Sequence, residues 1–370
     1  MNPADWDLVR HPPTKNRSLR AFDAADQLAL AEIGELPGRV LVVNDSFGGV
    51  VVPLVAAGVD VTVWSDSVLT ETAIAANLER NALAPSRAVL VASDVKPEGR
   101  FDVVVVKVPK TLRFLHDQLV GVRETSTVRT RVIGAGMVKR IHTSTVEAFD
   151  TIIGPTVTSL ATRKARLILP TFDPARDPER PTPVMYTTDD GVSVVNRPNV
   201  FSQEKLDIGT RFLLQHLPDV SDGSIVLDMG CGNGVVGTTL AARFDGGSVV
   251  FTDVSHAAVA SASETWNSTR ADDLRAEFHA VDLAAGVPDQ SVDLVVINPP
   301  FHDQHVVGDE TARRMFREAR RVLRPEGELR VIGNRHLGYH QRLRSLFGNL
   351  ETVASNPKFV VLSCRKRPRS

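Results

Sequence analysis

Short apolar runs recur along the chain, each closed by a polar or turn-forming residue. Residues 39–44, 59–64, 88–92 and 101–107 are rich in Val and Leu, and each reads as a buried strand. Between and after them, residues 23–33, 70–81, 111–120 and 144–153 read as helices. In the first helix Phe22, Ala25, Leu28, Ala29 and Ile33 recur near a period of 3.6. The alternation returns further on, with strands at 225–228, 248–253, 292–297, 328–332 and 358–362 and helices at 256–268 and 309–324. On the last helix Ala312, Met315, Phe316, Ala319, Val322 and Leu323 share one apolar face. Strands alternating with helices predict a doubly wound α/β sheet, here twice.

Composition shifts between the two series. Pro170, Pro174, Pro178, Pro181 and Pro183 are interleaved with charges and read as a linker. Residues 184–195 then carry a hairpin signal around Asp190 and Gly191. The expected organisation is a domain at 1–172, a linker at 173–183 and a second domain at 184–370. A chain of 370 residues with 42% hydrophobic content can build a core in each. A net charge of −1 excludes a global basic field, so any nucleic-acid contact must be local. Two cysteines far apart, Cys231 and Cys364, fit a reducing compartment. The polar start of the chain and the lack of a long apolar run predict a cytoplasmic protein with no membrane contact.

The two halves align without a gap at their first strands. Val40 to Val50 lies over Val226 to Val236, and Phe101 to Lys110 over Val292 to Phe301. The differences are chemical. Val42 stands where the second half has Asp228, while Asn44 and Ser46 replace Gly230 and Gly232. Lys107 and Lys110 replace Asn298 and Phe301. This pattern predicts one working site in the C-terminal half and a degenerate copy in the N-terminal half.

The site is expected where strands end, since ligands of open parallel sheets bind outside the carboxyl ends. Gly230, Gly232 and Gly234 form a turn that lets backbone approach a ligand closely. Gly232, Gly234 and Gly237 also fit a dinucleotide pattern, with Asp253 at the distance of a ribose partner. Asp228 just before the loop argues against a pyrophosphate and for the ammonium of S-adenosylmethionine. Asp282 is placed for an adenine amino group. Asn298, Pro299, Pro300 and Phe301 follow a strand, where the prolines end the ladder and leave an amide and a ring for a planar acceptor. No metal site is expected. His302 and His305 flank Asp303 without a further ligand nearby, and Cys231 reads as a small packed residue in the loop. Arg313, Arg317, Arg320, Arg321 and Arg324 form either a solvated face or phosphate contacts.

The C-terminal half resembles the class I S-adenosylmethionine-dependent methyltransferases. Nearly the whole chain is similar to the bacterial ribosomal RNA guanine-N2 methyltransferases with duplicated domains, most of all to those of the large subunit. The resemblance is carried by residues 21–26, 108–112, 141–145, 201–209, 230–234, 298–302 and 334–337. It implies two tandem Rossmann-like domains, the N-terminal one degenerate. Lys107 and Lys110, at the emptied site of that N-terminal domain, are expected to hold rRNA backbone. The resemblance also implies a monomer acting on 23S rRNA, with S-adenosylmethionine as cofactor. The implied acceptor residues are Asn298, Pro299 and Phe301, with Asp228, Gly230, Gly232, Gly234, Asp253, Asp282 and Asn298 on the cofactor. Three alternatives stay open: a small-subunit rRNA enzyme, methylation of adenine N6 or a glutamine amide, and a non-catalytic RNA-binding assembly factor.

Overall fold

The computed structural model describes residues 1–368 except Lys15, Arg17, Pro37, Gln203, 270–274 and 301–304, and without the side chains of 305–309. The chain divides into Met1–Thr182 and Pro183–Ser370. In the first unit the strands are β1 (Arg39–Val43), β2 (Asp60–Ser65), β3 (Ala88–Ala92), β4 (Val103–Lys107), β5 (Arg131–Met137), β6 (Thr156–Thr158) and β7 (Ala165–Pro170). Its helices are α1 (Ala24–Ile33), α2 (Val51–Ala56), α3 (Val68–Arg80), α4 (Leu112–Glu124) and α5 (Thr143–Ile152). In the second unit β8 (Val184–Thr187) and β9 (Ser193–Asn196) form a hairpin. Its further strands are β10 (Ile225–Met229), β11 (Ser248–Asp253), β12 (Arg275–Ala280), β13 (Val292–Ile297), β14 (Leu323–Asn334), β15 (Glu351–Ser355) and β16 (Phe359–Arg365). Its helices are α6 (Ile208–Leu214), α7 (Val235–Ala241), α8 (His256–Thr269), α9 (His305–Val322) and α10 (Tyr339–Phe347).

Among the described residues the two large sheets have one topology. The order is β3-β2-β1-β4-β5-β7-β6 in the first and β12-β11-β10-β13-β14-β16-β15 in the second. The register agrees as well. Val42 sits opposite Val63 and Val105, and Asp228 opposite Phe251 and Val296, so Lys107 and Asn298 each follow the same rung. In each unit apolar clusters cover both faces of the sheet, as buried parallel strands require.

Two parts of the pattern come out differently. Of residues 173–183, expected as a linker, 173–182 belong to the first unit and dock on its α4. The Arg123 guanidinium donates to the carbonyls of Asp173 (2.8 Å) and Pro174 (3.1 Å). Arg180 pairs with Asp117 at 2.9 Å and Glu124 at 3.1 Å. Lys107, expected to hold RNA, is instead internal. Its ammonium pairs with Asp26 and, at 3.1 Å, with Asp23, the two residues of the capping box that starts α1. Burial pushes the Asp26 carboxyl up to about 6, while Asp26 and Asp23 hold the Lys107 ammonium above its ordinary value against the desolvation that lowers it. Removing one partner of a buried pair strands the other charge. Lys107→Met is therefore expected to lower the unfolding free energy of the first unit by about 3–5 kcal/mol. Lys96→Met, which breaks the exposed pair with Glu124, is expected to cost under about 1 kcal/mol. Denaturant unfolding of the two variants checks the difference.

Candidate functional site

β10 ends at Met229 and the chain turns at once through Gly230, Gly232 and Gly234, whose φ angles are 76°, 55° and 74°. Side chains avoid this left-handed region, so glycine is needed for the turn. Gly234 adds a packing reason, because a Cβ there would lie 2.7 Å from the Cβ of Ala262 on α8. Gly232 differs: nothing stands within 4 Å of where its Cβ would be, so the loop offers bare backbone to open space. The Gly232 amide donates to Asp253 Oδ2 at 3.0 Å, and Asp253 Oδ1 accepts from Ser255 N at 2.9 Å. The carboxylate that ends β11 thus fixes the loop beside it.

The hairpin braces the same loop. Asn233 Nδ2 donates to the fully buried Asn196 Oδ1 at 2.9 Å, tying the loop to the end of β9. β9 lies along α8 rather than beside a further strand. Its amides at Ser193 and Val195, and that of Arg197 just beyond it, donate to the hydroxyls of Thr269 (3.1 Å), Thr265 (2.9 Å) and Ser261 (3.0 Å). These hydroxyls are spaced four residues apart on the helix and satisfy donors that an edge strand leaves open.

Asp228 is nearly inaccessible, and its Oδ2 accepts from the Gly237 amide at 2.9 Å. Burial, aided by the neighbouring Asp253, pushes its carboxyl up to about 7 against that hydrogen bond. A carboxylate in this position favours a cation beside it. Burial, with Asp253 and Asp228, also raises the Cys231 thiol far above its ordinary value. This thiol is packing, with no thiolate for nucleophilic work. Asp282 follows β12. One of its oxygens pairs with Arg314 of α9, and Oδ1 is buried without a hydrogen-bond partner among the described residues.

At the end of β13 the Asn298 amide is held from one side only. Its Nδ2 donates to Thr210 Oγ1 at 2.9 Å, while its Oδ1 is buried and has no hydrogen-bond partner among the described residues. Thr210 is itself buried in the first turn of α6, whose amides at Gly209 and Thr210 are capped by Asp207 at 2.9 and 3.1 Å. A second buried amide oxygen without a partner among the described residues, Asn334 Oδ1, stands at the end of the neighbouring strand β14. Pro299 is buried and Pro300 exposed. Phe301 and His302 lie outside the described residues, as does the His305 side chain. The structure thus gathers Asp228, Gly230, Gly232, Gly234, Asp253, Asp282 and Asn298 at the carboxyl ends of four adjacent strands. Thr210, Arg314 and Asn196 were missed. Thr210 and Arg314 have no spacing signal, since they touch their partners across 88 and 32 residues. The later Arg residues are mostly paired: Arg321 with Glu318 and Asp289, Arg324 with Asp293, and Arg317 with Glu310.

This donor set fits S-adenosylmethionine. Bare backbone at Gly232, a buried carboxylate that favours a cation at Asp228, and an unmatched acceptor at Asp282 suit its carboxylate-bearing chain, ammonium and adenine amine.

The comparisons with known proteins agree with the two-unit division. Residues 1–174 match the family described as RLMG N-terminal domain, and residues 191–363 match the methyltransferase small domain. The chain is 47% identical to the ribosomal RNA large subunit methyltransferase G of Streptomyces coelicolor, covering 97% of each chain. It is 43% identical to the protein of that name from Erwinia tasmaniensis, over 98% of this chain and 97% of the other. A solved T. thermophilus 16S rRNA N2 methyltransferase, in complex with AdoMet and guanosine, shares the fold at a TM-score of 0.79 and 23% identity, over 98% of each chain.

The Asp228 carboxyl makes stability depend on pH. Its folded pKa of about 7 lies above the ordinary 3.8, so its contribution is complete below about pH 4 and is lost as pH rises to about 7. Asp228→Asn is expected to flatten the stability of the ligand-free second unit across that window, removing up to about 4 kcal/mol of pH dependence. Thermal unfolding at a series of pH values checks this.

Proposed function

The chain belongs to the ribosomal RNA large subunit methyltransferase G family, and from that premise we propose that it methylates the exocyclic N2 of a guanine in 23S rRNA. Its methyl donor is S-adenosylmethionine. The observation that carries the guanine-N2 reading is the Asn298 amide, with its nitrogen engaged by Thr210 and its buried oxygen unmatched among the described residues.

The amine of guanine is a weak nucleophile because its lone pair is delocalised into the ring. Asn298 Oδ1 accepts one of its N–H groups and the Pro299 carbonyl accepts the other. Two acceptors so placed favour a pyramidal nitrogen with the lone pair released from the ring. When bound, S-adenosylmethionine supplies an electrophilic methyl group on a sulfonium. Asp228 faces its ammonium, the Gly230–Gly232–Gly234 backbone its methionine chain, Asp253 its ribose and Asp282 its adenine amine. Phe301 stacks on the target base, a contact of about 1–3 kcal/mol. The amine turns more acidic once methylated, so its proton can leave without a strong base in the site. Rate then comes from position and fixed dipoles. The base must be unpaired or flipped out, because a duplex hides the amine.

Nucleoside analysis of 23S rRNA after incubation with labelled cofactor tests the reading directly. Label in N2-methylguanine is expected, and label in any other nucleoside, or none, overturns it. Asn298→Ala is expected to lower turnover at least about a hundredfold, the scale of one lost oxyanion-type contact. Cofactor affinity should change far less. Thr210→Val, which keeps the side-chain shape and loses the hydroxyl, is expected to lower turnover about fivefold, as one neutral hydrogen bond allows. Thr210→Ser should restore it. Single-turnover rates at saturating RNA, with calorimetric cofactor titrations, separate these effects.

A further inference from the structure

The first unit repeats the fold of the second, and its equivalent cleft is filled on one side and open on the other. On the cofactor side, Asp45 occupies the amides that begin α2. Its carboxylate accepts from Gly48 (3.0 Å), Gly49 (3.1 Å), Val50 (2.8 Å) and Val51 (3.0 Å). Above that turn a Cβ on Gly49 would lie 3.0 Å from the Cβ of Phe22 and 3.1 Å from the Asp26 carboxylate. The Lys107–Asp26 pair closes the same side. A protein carboxylate and the start of α1 therefore cover the turn that corresponds to residues 234–237 of the other unit.

The acceptor side stays open. A cavity of about 230 Å³ lies beyond the ends of β4 and β5, and Lys110 lines it at the position that Phe301 holds in the other half. Lys139, Arg140 and His142 line it as well, with hydroxyls from Thr111 and Ser144. No Asp or Glu is among the described residues that line it. In a chain of net charge −1 such a surface is a local feature and does not follow from composition. Both α4 and α5 begin here, after Thr111 and His142, so the positive ends of two helices add to the side-chain charge. The volume is below the roughly 300–1,000 Å³ of most small-molecule pockets and suits a phosphate with part of its sugar.

We propose that this cavity is a phosphodiester site that holds RNA backbone, the acceptor half of a degenerate cleft converted from reading a base to gripping a phosphate. The assignment of RNA as the phosphate's source rests on the rRNA substrate proposed above; the anion chemistry of the cavity does not. The exposed Lys139 and Arg140 supply its charge, and Lys107 contributes none, being sealed beneath α1.

The test uses the full chain without cofactor, so that RNA affinity is read whether or not methyl transfer occurs. Lys139→Gln/Arg140→Gln is compared with Arg87→Gln/Arg129→Gln. The control removes the same charge from exposed positions just before β3 and β5, at the opposite ends of the strands. Binding to a 23S rRNA fragment is titrated across a salt series. Loss of two phosphate contacts on single-stranded RNA should make the slope of log affinity against log salt shallower by about 1.4. Affinity near physiological salt should fall about tenfold, with the control pair close to wild type. A cavity variant that keeps wild-type affinity and slope, or matches the control, overturns the proposal. Inorganic phosphate is titrated in parallel by calorimetry. Phosphate binding that the cavity variant loses while RNA affinity stays unchanged overturns the RNA assignment in favour of a free-anion site. Circular dichroism melts confirm that both variants fold.

Discussion

In each unit the residue at the carboxyl end of the central strand, Lys107 as the last of β4 and Asn298 just after β13, touches the third residue of a helix that precedes the sheet. In the second unit the contact is Asn298 with Thr210, a neutral hydrogen bond of 2.9 Å. In the first it is Lys107 with Asp26, a buried ion pair. Both helices begin with an Asp at the N-cap, Asp23 in one and Asp207 in the other, so the third residue is held in the same place. What differs is how much hydrogen-bonding capacity is left over. Thr210 engages the nitrogen of an amide and leaves its oxygen unmatched. Asp26 and Asp23 both engage the Lys107 ammonium. One contact holds a polar atom ready for a ligand, and the other seals the cleft with charge.

The rest of the second unit holds the Gly-rich loop against that strand end. Asp253 fixes Gly232, Asn196 fixes Asn233, and the hydroxyls of α8 fix the strand that carries Asn196. The Thr252 carbonyl of β11 adds to this support by accepting from the Gly230 and Cys231 amides at 2.8 and 3.0 Å. Asp228 adds an electrostatic demand, since its burial in the ligand-free chain favours the protonated form. In the proposed mechanism an incoming ammonium meets that demand, so cofactor binding and the ionisation of Asp228 are coupled.

The alternation of strands and helices was legible because buried parallel strands are short apolar runs bounded by turns. Elements without a clean period were not. β5 contains Gly134 and Gly136, which break the apolar run. Gly134 is required there because a Cβ would lie 2.7 Å from the Phe149 ring. α2 is nearly all buried and carries Pro53, so it has no polar face to mark a helical period. The docking of residues 173–182 was hidden for another reason. Proline and charge predict an exposed segment, and only the folded α4 shows that Arg123 holds its carbonyls.

The order of elements, the internal alignment and the clustering of glycine, aspartate and asparagine at strand ends belong to the sequence alone. They follow from local rules: side-chain period, the conformational range of glycine, and the fact that proline ends a ladder. Whether a given polar atom is spent or available was decided by tertiary structure. Lys107 reads from sequence as a cation for RNA and is consumed by carboxylates 81 and 84 residues away. Asn298 keeps its oxygen because the partner that reaches it, 88 residues away, takes only the nitrogen. Satisfaction of a buried polar group depends on neighbours brought by folding, and no local pattern encodes which neighbours those will be.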